Sequence, residues 1–187
     1  PFRHSITKMS HFHFTCSEIY KERVIQLGED PNNVYNFGSP AIDNIHNLKL
    51  IDKKGIEKLI NFELSDRCFL ITFHPVTLEN SSAESQFREL LLGLKKFVNY
   101  KLIFTYPNAD PEGRIIIKMI EEFINHNPSQ CISFKSLGQL KYFSILKYTN
   151  LVIGNSSSGL IEVPSFGIPT INIGDRQKGR IKAKSVI

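Results

Sequence analysis

Three cysteines in 187 residues, none in a CxxC spacing, argue against a disulfide framework and against a zinc site. Cys16, Cys68 and Cys131 each sit in or beside an apolar, strand-like run and are expected to be buried, reduced thiols, which points to a cytoplasmic protein. No apolar run approaches the roughly 18 residues that a membrane span needs. The opening Pro1-Phe2-Arg3-His4 lacks the basic start and apolar stretch of a signal peptide. The chain does not open with Met, so a piece of a longer protein is expected. Internal repeats and low-complexity linkers are absent, and so is the GKS/T ending of a Walker loop.

What is there is ordinary for a globular protein: 41% hydrophobic and 22% charged residues, in a chain long enough to bury a full core. The net charge of +5 favours an anionic partner. Bases are scattered, apart from Arg176, Lys178, Arg180, Lys182 and Lys184. That run fits a nucleic-acid footprint, a solvated strand edge or part of a phosphate site, and composition does not choose among them. His11 and His13 lack a third ligand, so no metal is expected there.

Residues 12–16 read as a short strand, with Ser17 as the N-cap of a helix that ends near Leu27 and Gly28. Val34–Phe37 is a second short strand, and residues 41–66 carry helical spacing with polar breaks. From Cys68 strands and helices alternate: strands at 68–73, 101–105, 131–134, 151–154 and 170–173, helices at 87–98, 115–124 and 140–148, and a short helix from about Ser157. This alternation specifies right-handed βαβ units on a parallel sheet, an α/β fold. Residues 1–38 have no complete core and read as the end of a preceding domain. Residues 39–66 read as hinge helices, and residues 67–187 as the main domain.

In an open parallel sheet ligands bind beyond the carboxyl ends of the strands, and there the polar clusters fall: His74-Pro75-Val76-Thr77, Tyr106-Pro107-Asn108-Ala109-Asp110, Lys135-Ser136-Leu137-Gly138, Asn155-Ser156-Ser157-Ser158-Gly159 and Gly174-Asp175-Arg176-Gln177. The segment Gly154–Gly159 lets backbone approach an anion, with serine hydroxyls and the N–H groups of a helix start as donors. The same residues also describe a serine-capped helix in an ordinary loop. Glu162 is placed to meet a ribose hydroxyl or to sit exposed on its helix. His74 is a phosphate donor or a structural histidine. Asn108 reads a base or sugar edge, or caps a turn with Asp110. Arg176, planar and always charged, suits a diphosphate.

These segments, in this order, resemble the hydrolysing UDP-N-acetylglucosamine 2-epimerases. The matching stretches are Arg3–Phe14, Thr72–Thr77, Tyr106–Asp110, Gly154–Gly167 and Gly174–Arg180. The resemblance implies a Rossmann-like domain of a two-domain, GT-B-like enzyme, with the N-terminal domain mostly missing and the closing helices beyond Ile187 absent. It implies that His74 contacts the diphosphate, Asn108 and Arg176 the nucleotide, Leu137 the uracil through its backbone, Ser156 and Ser157 the phosphates, and Glu162 the ribose. Arg3 and His4 would belong to the catalytic side of the cleft. The implied reaction eliminates UDP to a 2-acetamidoglucal, then adds water to give an N-acetylmannosamine-type sugar, with no nicotinamide and no metal. The catalytic carboxylates would lie in the missing domain, so the fragment alone is expected to bind UDP weakly without turnover. The expected partner is a UDP-sugar, without nucleic acid or membrane, and the full-length protein is expected to form a dimer or tetramer. Two other readings stay open: the donor domain of a GT-B glycosyltransferase, and a non-catalytic nucleotide-sugar or nucleic-acid-binding module.

Overall fold

The computed structural model of the chain describes residues 2–76, 83–108 and 112–187. It divides into two compact units, Pro1–Asn47 and Leu48–Ile187. The division falls inside the segment read as hinge helices, so that the helix Pro40–Asn47 belongs to the first unit and the helix Lys53–Ile60 to the second. Thr77, Ala109 and Asp110 lie outside the described residues.

In the first unit, helix α1 (Phe2–Met9) precedes two short parallel strands, β1 (His13–Thr15) and β2 (Val34–Asn36), joined through helix α2 (Glu18–Gln26). Ser17 caps α2 as its sequence position predicts, its side chain accepting the Tyr20 N–H. Sequence periodicity did not mark α1, whose exposed residues include Phe2, Ile6 and Met9 and which buries none. His13 is buried beside Glu29, Nε2 to Oε2 at 3.2 Å, which gives this imidazole a hydrogen-bond partner. Cys16 is exposed, contrary to the expectation of three buried thiols: it follows the last residue of β1, where the chain leaves the strand pair.

The second unit begins with α4 (Lys53–Ile60), the helix α3 (Pro40–Asn47) being the last element of the first. Five strands follow: β3 (Cys68–Thr72), β4 (Lys101–Thr105), β5 (Cys131–Phe134), β6 (Leu151–Gly154) and β7 (Thr170–Asn172). All pair in parallel, in the order β5-β4-β3-β6-β7. The order reverses between β3 and β6, and such a switch point opens a crevice at the carboxyl ends of the two strands. Between strands run α5 (Ala83–Leu94), α6 (Gly113–His126), α7 (Gly138–Leu146) and the one-turn α8 (Ser158–Ile161).

The core follows from the pleat. Phe69, Ile71 and Phe73 alternate along β3 and the segment after it, and join Leu102 and Phe104 of β4 against Phe87 and Leu91 of α5 and Ile116 and Ile120 of α6. The intervening Leu70 and Ile103 are fully buried as well, so β3 and β4 read as continuous apolar runs. Each such side chain contributes roughly 1.5–3 kcal/mol relative to leaving it in water. The helix expected at 87–98 spans Ala83–Leu94 instead. Phe97 and Tyr100 leave the helical path to pack on Phe69, their ring centroids 5.2 and 4.5 Å from it, which draws the chain toward β4. Cys68 and Cys131 are buried, and burial pushes both thiols up to about 12. Neutral thiols of this kind are poor nucleophiles.

Candidate functional site

A cavity of about 370 Å³ opens at the carboxyl edge of the sheet, lined by Thr72, His74, Asn108, Leu137, Ser156, Ser158 and Glu162, with Tyr142 and Phe143 on one wall. A larger hollow of about 530 Å³ lies in the first unit between the ends of β1 and β2, beside Phe14, Cys16, Tyr20, Phe37 and Asp43. Its surface is mostly apolar, with Thr15, Tyr20 and Asp43 as its polar side chains. The smaller cavity collects hydroxyls, an imidazole and a carboxylate from four strand ends, and chemistry favours it over size.

The cavity is held together by Asn155, a residue that sequence reasoning left without a role. It is 1% exposed. Its side-chain oxygen accepts the His74 backbone N–H at 2.7 Å, and its amide nitrogen donates to the His74 carbonyl at 2.8 Å. One side chain thus replaces a strand partner for His74 and ties the end of β6 to the end of β3. The Asn155 carbonyl in turn accepts Arg176 Nη1 at 3.0 Å and Gln177 Nε2 at 2.7 Å, which brings in the loop after β7. Arg176 therefore meets the serine loop and the His74 loop at a single residue. Gln177 is buried, a second member of the strand-end clusters with no role of its own assigned from the sequence.

The approach of β6 to β3 at this point requires glycine. Gly154 pairs with Thr72 and has φ +138°. A Cβ there would lie 1.8 Å from the Thr72 carbonyl oxygen. Next to it, the hydroxyls of Thr72 and Thr105 meet at 2.5 Å across β3 and β4, both at the cavity.

His74 is buried, and its Nδ1 accepts the Asn108 backbone N–H at 3.3 Å. An accepting Nδ1 places the ring proton on Nε2, so the backbone of the β4 loop fixes the tautomer. Asn108 thus joins the site through its main chain as well as lining the cavity. Leu137 is buried on the wall and directly precedes Gly138, where α7 begins.

Of the three serines, Ser156 and Ser158 line the cavity, whereas Ser157 does not. Ser157 stands at the N-cap position of α8, and its carbonyl accepts Leu160 N–H and Ile161 N–H. Among the described residues, the backbone N–H groups of Ser156 and Ser157 meet no acceptor. The helix behind them is only four residues long, so aligned dipoles add little and the donors act locally. Glu162 lies just past α8, and its Oε2 is buried without a hydrogen-bond partner. A buried carboxylate oxygen in that state is costly unless a donor arrives.

Tyr142 on α7 is a third residue that the sequence did not single out. Its hydroxyl lies 2.7 Å from Ser158 Oγ. Burial raises the phenol to about 12, the hydrogen bond it shares with Ser158 works the other way, and the Glu162 charge adds to the rise. The signal available was a lone tyrosine four residues after Gly138, on a helix otherwise read for its apolar spacing.

Arg176 is exposed and does not line the cavity; its guanidinium braces the loop that does. The basic run after it forms turns and irregular backbone, with no strand over 176–184. Arg3 and His4 are exposed on α1 in the first unit.

The family model described as UDP-N-acetylglucosamine 2-epimerase matches residues 1–187. The chain belongs to the UDP-N-acetylglucosamine 2-epimerase family. It is 44% identical over 185 residues to the GDP/UDP-N,N'-diacetylbacillosamine 2-epimerase (hydrolyzing) of Campylobacter jejuni subsp. jejuni serotype O:2, covering 99% of this chain and 48% of that protein. It is 46% identical over 186 residues to polysialic acid biosynthesis protein P7 of Escherichia coli, covering 99% of this chain and 47% of that one. The chain thus spans about half the length of these curated relatives. The fold is similar to that of S. aureus MnaA in its co-structure with UDP, with a TM-score of 0.67 at 16% identity over 93% of this chain and 47% of that one. Within the epimerase family, then, this chain carries a parallel-sheet domain with a polar cavity at its switch point.

Proposed function

We propose that the second unit of this epimerase-family chain binds the UDP moiety of a nucleotide sugar, as the C-terminal half of an enzyme that releases UDP and a free N-acetylmannosamine-type sugar from UDP-N-acetylglucosamine or a close UDP-2-acetamido sugar. The observation that carries this reading is the meeting of His74, Ser156, Ser158 and the unpartnered Glu162 carboxylate at one cavity on the switch-point edge. Glu162 takes a donor from the ribose. The N–H groups of Ser156 and Ser157, with the serine hydroxyls, take phosphoryl oxygens. His74 contacts the diphosphate. Leu137 lies beside the uracil, and Arg176 adds positive charge from the loop that it braces.

The chemistry needs such a half. The C2 proton is weakly acidic, and UDP must leave C1 as that proton is removed, so stabilising the departing diphosphate lowers the barrier directly. Elimination leaves a 2-acetamidoglucal; water then adds at C1 and C2 is reprotonated on the opposite face. The base and acid belong to the preceding domain, of which residues 1–38 are the end, with Arg3 and His4 on its catalytic side. By itself the chain binds UDP weakly and does not turn over. The full-length enzyme acts in the cytoplasm as a homo-oligomer, without metal or nicotinamide.

Incubating the full-length protein in D₂O with UDP-N-acetylglucosamine and with its diacetamido-dideoxy relatives tests this. NMR should find UDP and a free sugar carrying deuterium at an inverted C2, with no acceptor present. Sugar released only as a glycosyl transfer product, with the C2 proton retained, would establish the glycosyltransferase reading instead.

A further inference from the structure

Glu162 and the serine hydroxyls ask for opposite partners. The carboxylate oxygen needs a donor. The Ser156 oxygen already faces a donor, the Ser158 N–H at 3.4 Å, so its hydroxyl proton is available to give away. Ser158 is in the same position only if Tyr142 is the donor in their 2.7 Å contact. Tyr142 and Ser158 both line the cavity. An acceptor arriving there selects that direction: a serine hydroxyl that gives its proton to a phosphoryl oxygen keeps only lone pairs for its other neighbour, so the phenol O–H must turn to Ser158 Oγ.

We propose that Tyr142 is a positioning residue: by donating to Ser158 Oγ it locks that hydroxyl so that its proton points into the cavity as a second serine donor for a phosphoryl oxygen. The inference rests on the nucleotide-binding reading above and adds a residue and a direction to it. A phosphoryl group carries only acceptors, so it complements two hydroxyls whose oxygens are already occupied. Chains of this kind also polarise one another, so the phenol strengthens the serine O–H as a donor. A hydroxyl free to rotate would lose that bias and pay an ordering cost on binding.

The test compares UDP with uridine, which lacks the phosphates, by calorimetry on the 187-residue chain. Tyr142→Phe should weaken UDP roughly three- to tenfold, as loss of one hydrogen bond does, and leave uridine within about twofold. Ser158→Ala, which leaves the tyrosine in place, should show the same split. Added to Ser158→Ala, the tyrosine substitution should cost nothing more for UDP. Unchanged UDP affinity, an equal loss for uridine, or a full loss persisting in the Ser158→Ala background would each overturn the positioning role while leaving UDP binding intact. An unsubstituted chain that binds neither ligand would overturn the nucleotide reading and this inference with it.

Discussion

At the scale of single residues, Asn155 does more for the site than any residue that touches the cavity. Its side chain satisfies both backbone groups of His74, and its carbonyl gathers Arg176 and Gln177. Asn155→Ala strips the buried His74 N–H and C=O of their partners, which costs about 2–4 kcal/mol in folding free energy. Urea titration should read that loss, and UDP affinity should fall with it because the imidazole is no longer held. A variant as stable as the parent would show that water or another group takes over the amide's bonds. The role was not legible beforehand. Asn155 stands beside three serines, and nothing local says that its amide will pair with a histidine 81 residues away. His74, Asn108, Leu137, Ser156 and Glu162 were legible because strand ends of a parallel sheet share one edge, and polar residues there converge. Tyr142 was not: on a helix read for apolar periodicity a tyrosine passes as core, and its hydroxyl acquires meaning only opposite Ser158.

At the scale of elements, the five strands of the second unit could be read almost to the residue, because buried parallel strands are short apolar runs between turn-forming segments. Helix ends were less legible. The start of α5 lies earlier than its apolar spacing implies, since Ala83 is a core residue and Phe97 is recruited by an aromatic cluster on Phe69. Helix α1 buries nothing, so no apolar stripe announced it. The junction of β6 with the serine loop rests on Gly154, whose backbone lies against the Thr72 carbonyl. Gly154→Ala combines a positive φ with a Cβ in contact with backbone, and it should destabilise the chain by more than about 2 kcal/mol. Thermal or urea unfolding checks this, and a loss below about 1 kcal/mol would mean that β3 and β6 can part without disturbing the sheet.

At the scale of the whole molecule, the chain is two units of unequal character. The first leaves Phe14, Tyr35 and Phe37 in an exposed stack, with ring centroids 5.7–5.9 Å apart, over a two-stranded sheet. The second buries a continuous core and carries the polar cavity. Two strands do not make an independently stable sheet, whereas the second unit satisfies both faces of its own. This asymmetry supports the proposal that nucleotide recognition belongs to the second unit. A titration of the isotopically labelled chain with UDP, followed by amide chemical shifts, tests that placement most directly. Perturbations should centre on Asn108, Gly138, Ser156, Ser157 and Glu162, with Phe14, Tyr20 and Phe37 silent. Shifts confined to the aromatic hollow of the first unit, or spread along Arg180, Lys182 and Lys184, would contradict it.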